Sequence, residues 1–459
     1  MTRPGRGHAP VVVVGGGLAG IAAALTLARA GRRVVLCERR PFLGGRAFSF
    51  ADPDTGAVID NGQHVLVGAC ARLRALFSAI GAPLNAFVRQ RRLEVAILDE
   101  AGRRAVVRSP PLPAPLHVLP SLLAYRHLDR AERRVTARAM RALVSARGHA
   151  RAALDPIPLG GWLETRGVSA RAVDRFWEPL VRPALNIPAR QANTPLAAFF
   201  FEQTVWRGRA GGALWLPATG LSDAIGNPAA LALARAGVEL KLGARVRRIA
   251  CEGNRVGGVE LAEGETIESE DVVAAVPPTA LAEIAPRAAL PAHVGDLGAS
   301  PIVNVFLWYD RPVLDLAFAG TLDPDLQWVF DRERLLGHEA AGGHGVGISL
   351  SAADSVLDLP KETIAERTDE ALARVFPTRL AARRVRFAVV KEPRATFLAG
   401  AGLRGRRPAA DEAPAHGLWL AGDWTDTGWP ATMEGAVQSG ESAAGAVLTG
   451  SSRRGSDAE

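Results

Sequence analysis

The chain has 459 residues, of which 48% are hydrophobic and 22% are charged, and its formal net charge is +8. This composition excludes a disordered or fibrous protein and predicts a globular protein of two or three domains with a sizeable core. Arginine carries most of the positive charge, since lysine occurs only at Lys241, Lys361 and Lys391. No basic stripe with interleaved aromatic residues accompanies this charge, so we expect no nucleic-acid partner. We interpret the excess as affinity for a membrane surface or as compositional bias.

The cysteines and the apolar runs predict the compartment. Cys37, Cys70 and Cys251 are far apart and match no metal-ligand spacing, so we predict no metal site and no disulfide bond, as in a reducing cytoplasm. The apolar run at residues 11–14 is too short for a signal peptide, and no stretch of about twenty apolar residues indicates a transmembrane helix. We therefore expect a cytoplasmic protein with peripheral contact to the inner membrane.

The first elements of the chain form a pattern that is typical of dinucleotide binding. Four valines at residues 11–14 predict a buried parallel strand, and the glycine-rich residues 15–20 predict a turn. Residues 21–30 predict a helix, and residues 33–38 predict a second strand that ends at an acid. This order of elements around G-x-G-x-x-G predicts a bound dinucleotide more strongly than the glycines alone would.

Each part of this pattern has a separate task. Gly15 allows the tight turn, Gly17 lets the backbone approach a pyrophosphate, and Gly20 lets the helix and strand pack closely. The helix N-terminus offers free N–H groups to phosphates, and Glu38 is placed to accept hydrogen bonds from a ribose. The predicted contacts are Gly15, Gly17, Leu18, Ala19, Gly20, Glu38 and Arg39.

A second glycine pair, Gly44-Gly45, precedes Arg46 just past the second strand. This sequence resembles the extended fingerprint of FAD proteins of the amine oxidase and phytoene desaturase superfamily. There the glycines and the arginine continue along the phosphates toward the flavin, so the resemblance implies FAD as the cofactor. A surface turn with a solvated arginine is the alternative.

Residues 47–59 predict a hairpin, and the sequence DNGQH follows at residues 60–64. It resembles the D-x-G-x-H element that lies beside the flavin in many members of the superfamily. His64 either faces the substrate or bonds to the backbone. The resemblance implies cofactor contacts from Gly62, Gln63 and His64.

The middle of the chain departs from the dinucleotide-binding pattern. Residues 84–107 predict strands of a different sheet, whereas residues 110–123 are apolar but contain five prolines, which excludes a long helix. This segment is either a buried connector or a loop that opens onto a lipid. Helices are predicted from residue 129 to residue 153 and again from residue 159. The bulky apolar residues of 173–185 and 197–205 pack a helical core or build a hydrophobic tunnel.

From residue 211 the dinucleotide-binding pattern returns. Residues 220–236 predict a helix, and residues 237–242 and 244–249 predict strands. Residues 256–268 predict a hairpin, and residues 271–278 predict an apolar strand that ends in Pro-Pro. Together they resemble the second part of the FAD domain in the superfamily. The resemblance implies that Val246 contacts the adenine through its backbone.

Residues 279–408 return to the second domain, with strands at 302–309 and 346–350 and a helix at 361–375. Near the C-terminus, residues 417–421 predict a strand and residues 433–447 a helix. In the superfamily, the aspartate after this strand binds the ribityl or pyrophosphate part of the cofactor. The helix N-terminus there points at the pyrimidine side of the flavin, where a reduced flavin is negatively charged. The implied contacts are Gly422, Asp423, Thr432, Met433, Glu434 and Ala436.

We therefore predict an α/β fold in which a Rossmann-like FAD-binding domain is interleaved with an α+β substrate domain. The predicted FAD-binding parts are residues 1–83, 211–278 and 409–459, the last including a tail. The predicted substrate-domain parts are residues 84–210 and 279–408.

DNGQH at residues 60–64 and LAGDWTDTGWPATMEGAVQSGESAA at residues 420–444 resemble the squalene-associated FAD-dependent desaturase group. The assigned activity of this group is hydroxysqualene dehydroxylation. The resemblance implies that reduced FAD delivers hydride to an isoprenoid lipid, hydroxysqualene, and that the allylic hydroxyl leaves as water. The physiological electron donor is not indicated.

An acid would help the hydroxyl to leave. Asp426, Glu434, Glu202 and His64 are candidates, and Glu434 and Asp426 are preferred because their stretch of chain is predicted to border the flavin. Each of the four is also compatible with a structural role.

Three other functions fit parts of the pattern. A phytoene-type desaturase needs the same lipid tunnel. A flavin amine oxidase commonly uses a tyrosine cage, but only Tyr125 and Tyr309 are available, and no cysteine follows Cys251 to attach a flavin covalently. A prenyl-lipid escort of the same fold would have lost the flavin, and the intact glycine motif argues against it.

Overall fold

The computed structural model describes residues 9–53, 56–206, 208–337 and 343–456. The ends of the predicted domain parts 1–83 and 409–459, at residues 1–8 and 457–459, lie outside the described residues. The strands are β1 (Val11–Val14), β2 (Val34–Glu38), β3 (Ser49–Ala51), β4 (Val58–Asp60), β5 (Leu66–Val67), β6 (Phe87–Arg89), β7 (Glu94–Leu98), β8 (Arg104–Arg108), β9 (Leu214–Pro217), β10 (Glu239–Leu242), β11 (Val246–Glu252), β12 (Arg255–Leu261), β13 (Thr266–Glu268), β14 (Val272–Ala274), β15 (Ser300–Tyr309), β16 (Phe318–Thr321), β17 (Trp328–Asp331), β18 (His344–Ser351), β19 (Arg384–Thr396) and β20 (Leu418–Leu420).

Short helices are frequent between the strands. The α-helices are α1 (Leu18–Arg29), α2 (Ala71–Ile80), α3 (Leu119–Leu123), α4 (Arg130–Ser145), α5 (Gly148–Ala152), α6 (Leu159–Glu164), α7 (Ala170–Ala172), α8 (Glu178–Leu185), α9 (Thr194–Phe201), α10 (Asn227–Arg235), α11 (Pro278–Ile284), α12 (Arg332–Leu336), α13 (Asp354–Leu357), α14 (Lys361–Val375) and α15 (Met433–Ser456). Turns of 3₁₀-helix lie at Leu116–Val118, Arg287–Ala289 and Pro377–Ala381, and π-helical turns lie at Val173–Trp177, Glu202–Trp206 and Ser222–Gly226. No helix in the described part of the chain is long and apolar enough to cross a membrane.

A five-stranded parallel sheet with the order β10-β2-β1-β14-β20 forms the centre of the first layer. Its strands come from three separate stretches of the chain, as the predicted interleaving requires, while the domain boundaries stay predictions. The valines of β1 are buried on both faces of the sheet: Val11 and Val13 pack in one core cluster, and Val12 and Val14 pack in another. A continuous apolar strand is what a sheet covered on both faces requires.

A seven-stranded mixed sheet with the order β19-β15-β18-β17-β16-β7-β8 forms the second layer. Alternate residues of β15 point to opposite faces. Val303, Val305 and Leu307 pack with Ile364 and Leu372 of α14. The other face of the sheet turns toward the β3–β4 hairpin.

The β3–β4 hairpin joins the two layers. Ile59 packs against Phe306 and Trp308 of the large sheet, and buried Arg332 donates a hydrogen bond to the Val58 carbonyl. Asp52, at the end of β3, forms an ion pair with Arg386 of β19. These contacts fix the position of residues 60–64, which leave the hairpin directly after β4.

Most of the predicted elements are confirmed, including the first strand–helix–strand unit, the hairpin and helix α14. Two predictions were wrong in detail. The strands predicted in residues 84–107 belong to two sheets, since β6 pairs with β9 while β7 and β8 join the large sheet. The helix predicted from residue 129 to residue 153 is broken after Ser145, since Ala146 and Arg147 have extended backbone and Gly148 has φ of +49°. The helix predicted at residues 220–236 is confirmed, with a π-helical turn at its start.

Candidate active site

The glycine turn after β1 leaves no room for a side chain at Gly15 or Gly20. Gly15 has φ of +106°, and a Cβ atom on it would lie 2.5 Å from the carbonyl oxygen of Ala275. A Cβ atom on Gly20 would lie 1.9 Å from the carbonyl oxygen of Gly15. The turn is therefore tight, and helix α1 packs directly onto it, as the motif predicts.

Gly17 differs from these two glycines because the protein itself leaves room for a side chain. A Cβ atom on Gly17 would meet only the Gly45 Cα, at 3.8 Å, and its φ of −74° is ordinary for any residue. Gly17 is the N-cap of α1, and no side chain caps the helix there. The N–H groups of the first turn, at Leu18 and Ala19, are thus offered to an anionic ligand.

The second glycine pair lies against the first turn. The Gly44 amide donates to the Gly16 carbonyl at 2.9 Å, and a Cβ on Gly45 would lie 2.8 Å from the Gly17 Cα. Both residues of the pair have positive φ, +120° and +62°. The two glycine motifs therefore form one continuous backbone surface, which extends the phosphate cradle away from β1.

Glu38 is buried at the end of β2 and holds this turn together. Its carboxylate accepts hydrogen bonds from the Gly16 amide at 2.7 Å and from the Arg40 amide at 2.9 Å. A carboxylate has acceptor capacity beyond these two bonds, so the predicted contact with a ribose is compatible with the geometry. Arg39 beside it is exposed. Val246 is buried at the start of β11, soon after β10 ends opposite Glu38.

One ion pair brings the N-terminal and C-terminal motifs together. The Arg46 guanidinium lies 2.8 Å from the Asp423 carboxylate, although the two residues are 377 positions apart. Arg46 also donates to the Ala395 carbonyl, and the charge of Asp423 raises the pKa of Arg46. Arg46 is therefore not a solvated surface arginine, and both motifs border one site.

The loop that carries Asp423 is held by a residue that sequence reasoning missed. Arg407 is buried, and its guanidinium donates to the carbonyls of Asp423 at 3.2 Å, Trp424 at 3.4 Å and Thr425. Burial lowers the pKa of Arg407 to about 10. No signal in the sequence separates Arg407 from its neighbour Arg406, because only the fold shows which of the two is enclosed.

The loop DNGQH lies against the large sheet. The Gln63 amide donates to Asn304 Oδ1 at 3.3 Å, and a Cβ on Gly62 would lie 3.0 Å from Asn304 Nδ2. Sequence reasoning also missed Asn304, although a polar residue within the apolar strand β15 was a usable signal. Asn304 thus fixes the loop that the resemblance places beside a flavin.

His64 bonds to the backbone, which was one of the two alternatives for it. Its Nδ1 donates to the Gly62 carbonyl at 2.7 Å, so Nε2 is the acceptor nitrogen of the neutral ring. Burial lowers the pKa of His64, whereas burial raises the pKa of neighbouring Asp60, which accepts hydrogen bonds from Ser49 and Leu221. The backbone contact leaves Nε2 available for proton transfer.

The final helix meets the site through one side of its first turn. Thr432 precedes it and accepts a hydrogen bond from the Gly435 amide at 3.2 Å. Met433 and Ala436 are half-buried. Ala436 lies on the same side as Met433 and Thr432 because it follows them by three and four residues. They stay predicted cofactor contacts.

Glu434 points to the opposite side, where its carboxylate is engaged by other residues, so the geometry argues against its predicted role as catalytic acid. The buried carboxylate accepts hydrogen bonds from the amides of Arg72 at 3.0 Å and Leu73 at 2.8 Å, and from Gln438 at 3.1 Å. It therefore caps the N-terminus of α2. The position of Glu434 in the sequence, beside the predicted flavin-binding stretch, does not reveal that its side chain points toward α2. The same geometry argues against the predicted cofactor contact of Glu434.

The other acids are also engaged elsewhere. Glu202 forms ion pairs with Arg151 at 2.7 Å and Arg147 at 3.4 Å. Asp426 is exposed and accepts a hydrogen bond from the Gly428 amide at 3.3 Å within its own loop. Among the four candidate proton donors from the sequence, His64 is the one whose geometry remains compatible with proton transfer to a ligand.

The capping role of Glu434 gives a testable prediction. Changing Glu434→Ala leaves two backbone N–H groups of α2 without their acceptor, which is expected to lower the free energy of unfolding by about 1–3 kcal/mol. Glu441→Ala on the same helix is the control, because it removes only a partly exposed pair with Arg72. Urea unfolding measures both variants. A slower reaction of the Glu434 variant without a loss of stability would restore Glu434 as a catalytic candidate.

An aromatic strip on the large sheet extends from this site. The rings of Phe318 and Trp328 each stack on that of Phe330, with centroids 6.5 Å apart in both pairs. Phe330 lies opposite Gly347 of β18, and a Cβ on Gly347 would lie 3.8 Å from the Gln63 side-chain oxygen. The strip therefore begins near the DNGQH loop, with Phe330 buried and Phe318 and Trp328 half-buried.

Residues 18–448 match the family described as flavin containing amine oxidoreductase. The chain belongs to this family. The uncapped helix N-terminus, the joined glycine motifs and the Arg46–Asp423 pair fit a flavin nucleotide. The protein is thus a flavin-dependent oxidoreductase.

Curated relatives within the family match almost the whole chain. Hydroxysqualene dehydroxylase of Rhodopseudomonas palustris is 29% identical over 462 aligned residues, covering 95% of this chain and 98% of the relative. The protein of the same name from Zymomonas mobilis is 27% identical and covers the same shares. A 15-cis-phytoene desaturase of an Oncidium hybrid cultivar is 25% identical, covering 95% of this chain and 77% of the relative. The similarity predicted from the DNGQH and C-terminal motifs is confirmed.

Solved structures confirm the predicted fold class. An oxidoreductase from Methanosarcina mazei superposes with a TM-score of 0.72 at 18% identity, covering 94% of this chain and 99% of the other. A protein described as a putative protoporphyrinogen oxidase from Exiguobacterium superposes with a TM-score of 0.70 at 20% identity, covering 96% and 99%. At these identities the likeness concerns the fold alone.

Proposed function

We propose that the protein uses FAD to remove the allylic hydroxyl of hydroxysqualene reductively, giving squalene. In the balanced reaction, hydroxysqualene and reduced FAD give squalene, water and oxidised FAD. The observation that carries this proposal is the aromatic strip that begins near the DNGQH loop, beside the joined glycine motifs. The 27–29% identity to proteins named hydroxysqualene dehydroxylase supports it over nearly the full length.

The nucleotide half of the site favours FAD over a smaller flavin. Glu38 lies at the end of β2, where a ribose is held in dinucleotide-binding folds, and Val246 follows the neighbouring strand β10. The first turn of α1 and the Gly44-Gly45 pair would hold the pyrophosphate, and Asp423 would hold the ribityl end. These proposed contacts extend over a greater length than a flavin mononucleotide would occupy.

A reduced flavin bound in this site supplies hydride, while the protein orients the lipid and excludes water. The half-buried ring of Trp328 would present its negative face to the positive charge that develops as the allylic hydroxyl leaves, and the buried ring of Phe330 would hold it in place. His64 is the group we assign to proton delivery, through Nε2. Because burial lowers its pKa below the ordinary imidazole range, the protonated form of His64 gives up its proton more readily and becomes more populated as the pH falls.

A phytoene-type desaturase is the second candidate, and the phytoene desaturase relatives favour it. It would use the same strip but pass electrons from the lipid to the flavin. An amine oxidase with a tyrosine cage is disfavoured, because both tyrosines are buried elsewhere. Tyr125 donates to the Arg175 carbonyl at 2.7 Å, and Tyr309 donates to Asp369 at 2.6 Å.

An anaerobic single turnover tests the proposal. The bound flavin is photoreduced, hydroxysqualene is added, the flavin spectrum is followed, and the extracted lipid is identified by mass spectrometry. We expect flavin reoxidation matched by squalene, with a rate that rises as the pH falls in the wild type and is lower and independent of pH in His64→Gln. Two results together would favour the desaturase instead: the reduced flavin stays reduced when hydroxysqualene is added, and the oxidised flavin is bleached when a saturated isoprenoid is added. A purified protein without flavin would favour the prenyl-lipid escort.

A further inference from the structure

In the segment between β8 and α4, polar side chains are buried and several leucines are exposed. Residues 109–125 contain no Asp, Glu, Lys or Arg. Their polar side chains are buried: Ser109, His117, Ser121 and Tyr125 are at most 5% exposed. Four leucines are instead exposed, namely Leu112 at 40%, Leu116 at 52%, Leu119 at 39% and Leu123 at 51%. A water-facing loop normally shows the opposite arrangement.

Hydrogen bonds hold the segment in this orientation. The Ser121 hydroxyl donates to the Arg108 carbonyl at 2.6 Å and accepts from the Arg108 amide at 2.9 Å. At the other end, the Arg133 guanidinium donates to the carbonyls of Leu123 at 2.7 Å and Tyr125 at 2.8 Å. The leucines therefore project from a backbone that is held at the middle and at the C-terminal end of α3, so their exposure is built into the fold.

Exposed arginines surround the fixed end. Arg126 follows the segment directly, and Arg130 and Arg134 lie within one turn of Arg133 on α4. Arg138 continues this exposed side. The two acids at the start of α4 are engaged, since Asp129 and Glu132 form a capping box and Glu132 also pairs with Arg171. Exposed leucines next to arginine suit a surface that is apolar inside and anionic outside.

We propose that residues 110–124 and the adjoining arginines dock the protein on an anionic lipid bilayer, with the four leucines inserted among the acyl chains. Charge complementarity favours a bilayer over a second copy of this chain, because two copies would bring the arginines together. The inference goes beyond the proposed reaction and depends only on this surface.

Co-sedimentation with lipid vesicles tests this docking. The wild-type protein with its flavin is expected to bind vesicles of equal parts phosphatidylcholine and phosphatidylglycerol. It should bind pure phosphatidylcholine more weakly, and added salt should release it. Changing Leu112, Leu116, Leu119 and Leu123 together to Asn should weaken binding at least about tenfold, because the inserted apolar area is lost.

The control carries the same change at three leucines on other surfaces, Leu84→Asn, Leu231→Asn and Leu380→Asn, which are 86%, 60% and 74% exposed. This variant should bind vesicles like the wild type. The flavin spectrum and the unfolding temperature of every variant show that it is folded. Failure of the wild type to sediment with anionic vesicles, or equal binding by the four-leucine variant, would overturn the proposal. If the wild type is a dimer and the four-leucine variant is a monomer that still binds vesicles, the docking proposal is overturned and the leucines form an interface between copies of the chain. Since no substrate is added, vesicle binding is independent of whether hydroxysqualene is reduced.

Discussion

Gly440→Ala is expected to lower the free energy of unfolding by about 2–3 kcal/mol, whereas Gly445→Ala on the same helix should raise it by about 0.5–1 kcal/mol. A Cβ on Gly440 would lie 2.0 Å from the Ala19 carbonyl oxygen, and nothing lies within 4 Å of one on Gly445. The first change forces the backbones of α15 and α1 apart. The second removes only the flexibility that glycine gives the unfolded chain.

Urea unfolding of the two variants and the wild type measures this difference directly. Because α1 also opens the glycine turn, Gly440→Ala should retain less flavin after gel filtration than Gly445→Ala. Equal stabilities of the two variants would show that the helices are not packed as closely as the structure indicates.

Gly17→Ala is expected to lower the stability of the flavin-free protein only slightly, by less than about 1 kcal/mol for the poorer N-cap, but to weaken flavin binding about tenfold or more, which corresponds to at least about 1.4 kcal/mol. The protein has room for the added methyl group, as described above. The proposed pyrophosphate lies where the methyl group would project. Most of the penalty should therefore appear only when the nucleotide binds.

Gly20→Ala is the matched comparison within the same turn. Its Cβ would contact the Gly15 carbonyl, so both stability and flavin affinity should fall, the stability by about 1–3 kcal/mol. Thermal unfolding of the flavin-free proteins and quenching of flavin fluorescence on rebinding separate the two effects. If Gly17→Ala binds flavin like the wild type, the nucleotide does not pass this turn as we propose.

The sequence predicted the glycine turn well because local geometry decides it. Gly15 and Gly20 are required by backbone contacts within one strand–turn–helix unit, and those contacts follow from short-range spacing. The meeting of Arg46 and Asp423 was also predictable, since each motif resembles part of one cofactor site.

The sequence predicted side-chain directions poorly. Glu434 and Arg407 lie near residues of the site, but the first caps α2 and the second is enclosed beneath the Asp423 loop. Both directions depend on tertiary contacts between distant segments, for which a single sequence carries no periodic signal. The exposure of Leu116 and its neighbours was undecided for the same reason.

The ion pair between Arg46 and Asp423 also has a consequence for the order of events during synthesis. The ribosome releases Arg46 long before Asp423, and strand β20 and helix α15 emerge after nearly all of the large sheet. Early folding can form β1, α1 and β2, but the cofactor pocket is still open on one side until the C-terminal segment docks. Nucleotide capture is thus a late step that reports completion of the whole chain, and a ribosome-stalled fragment ending before β20 should be colourless.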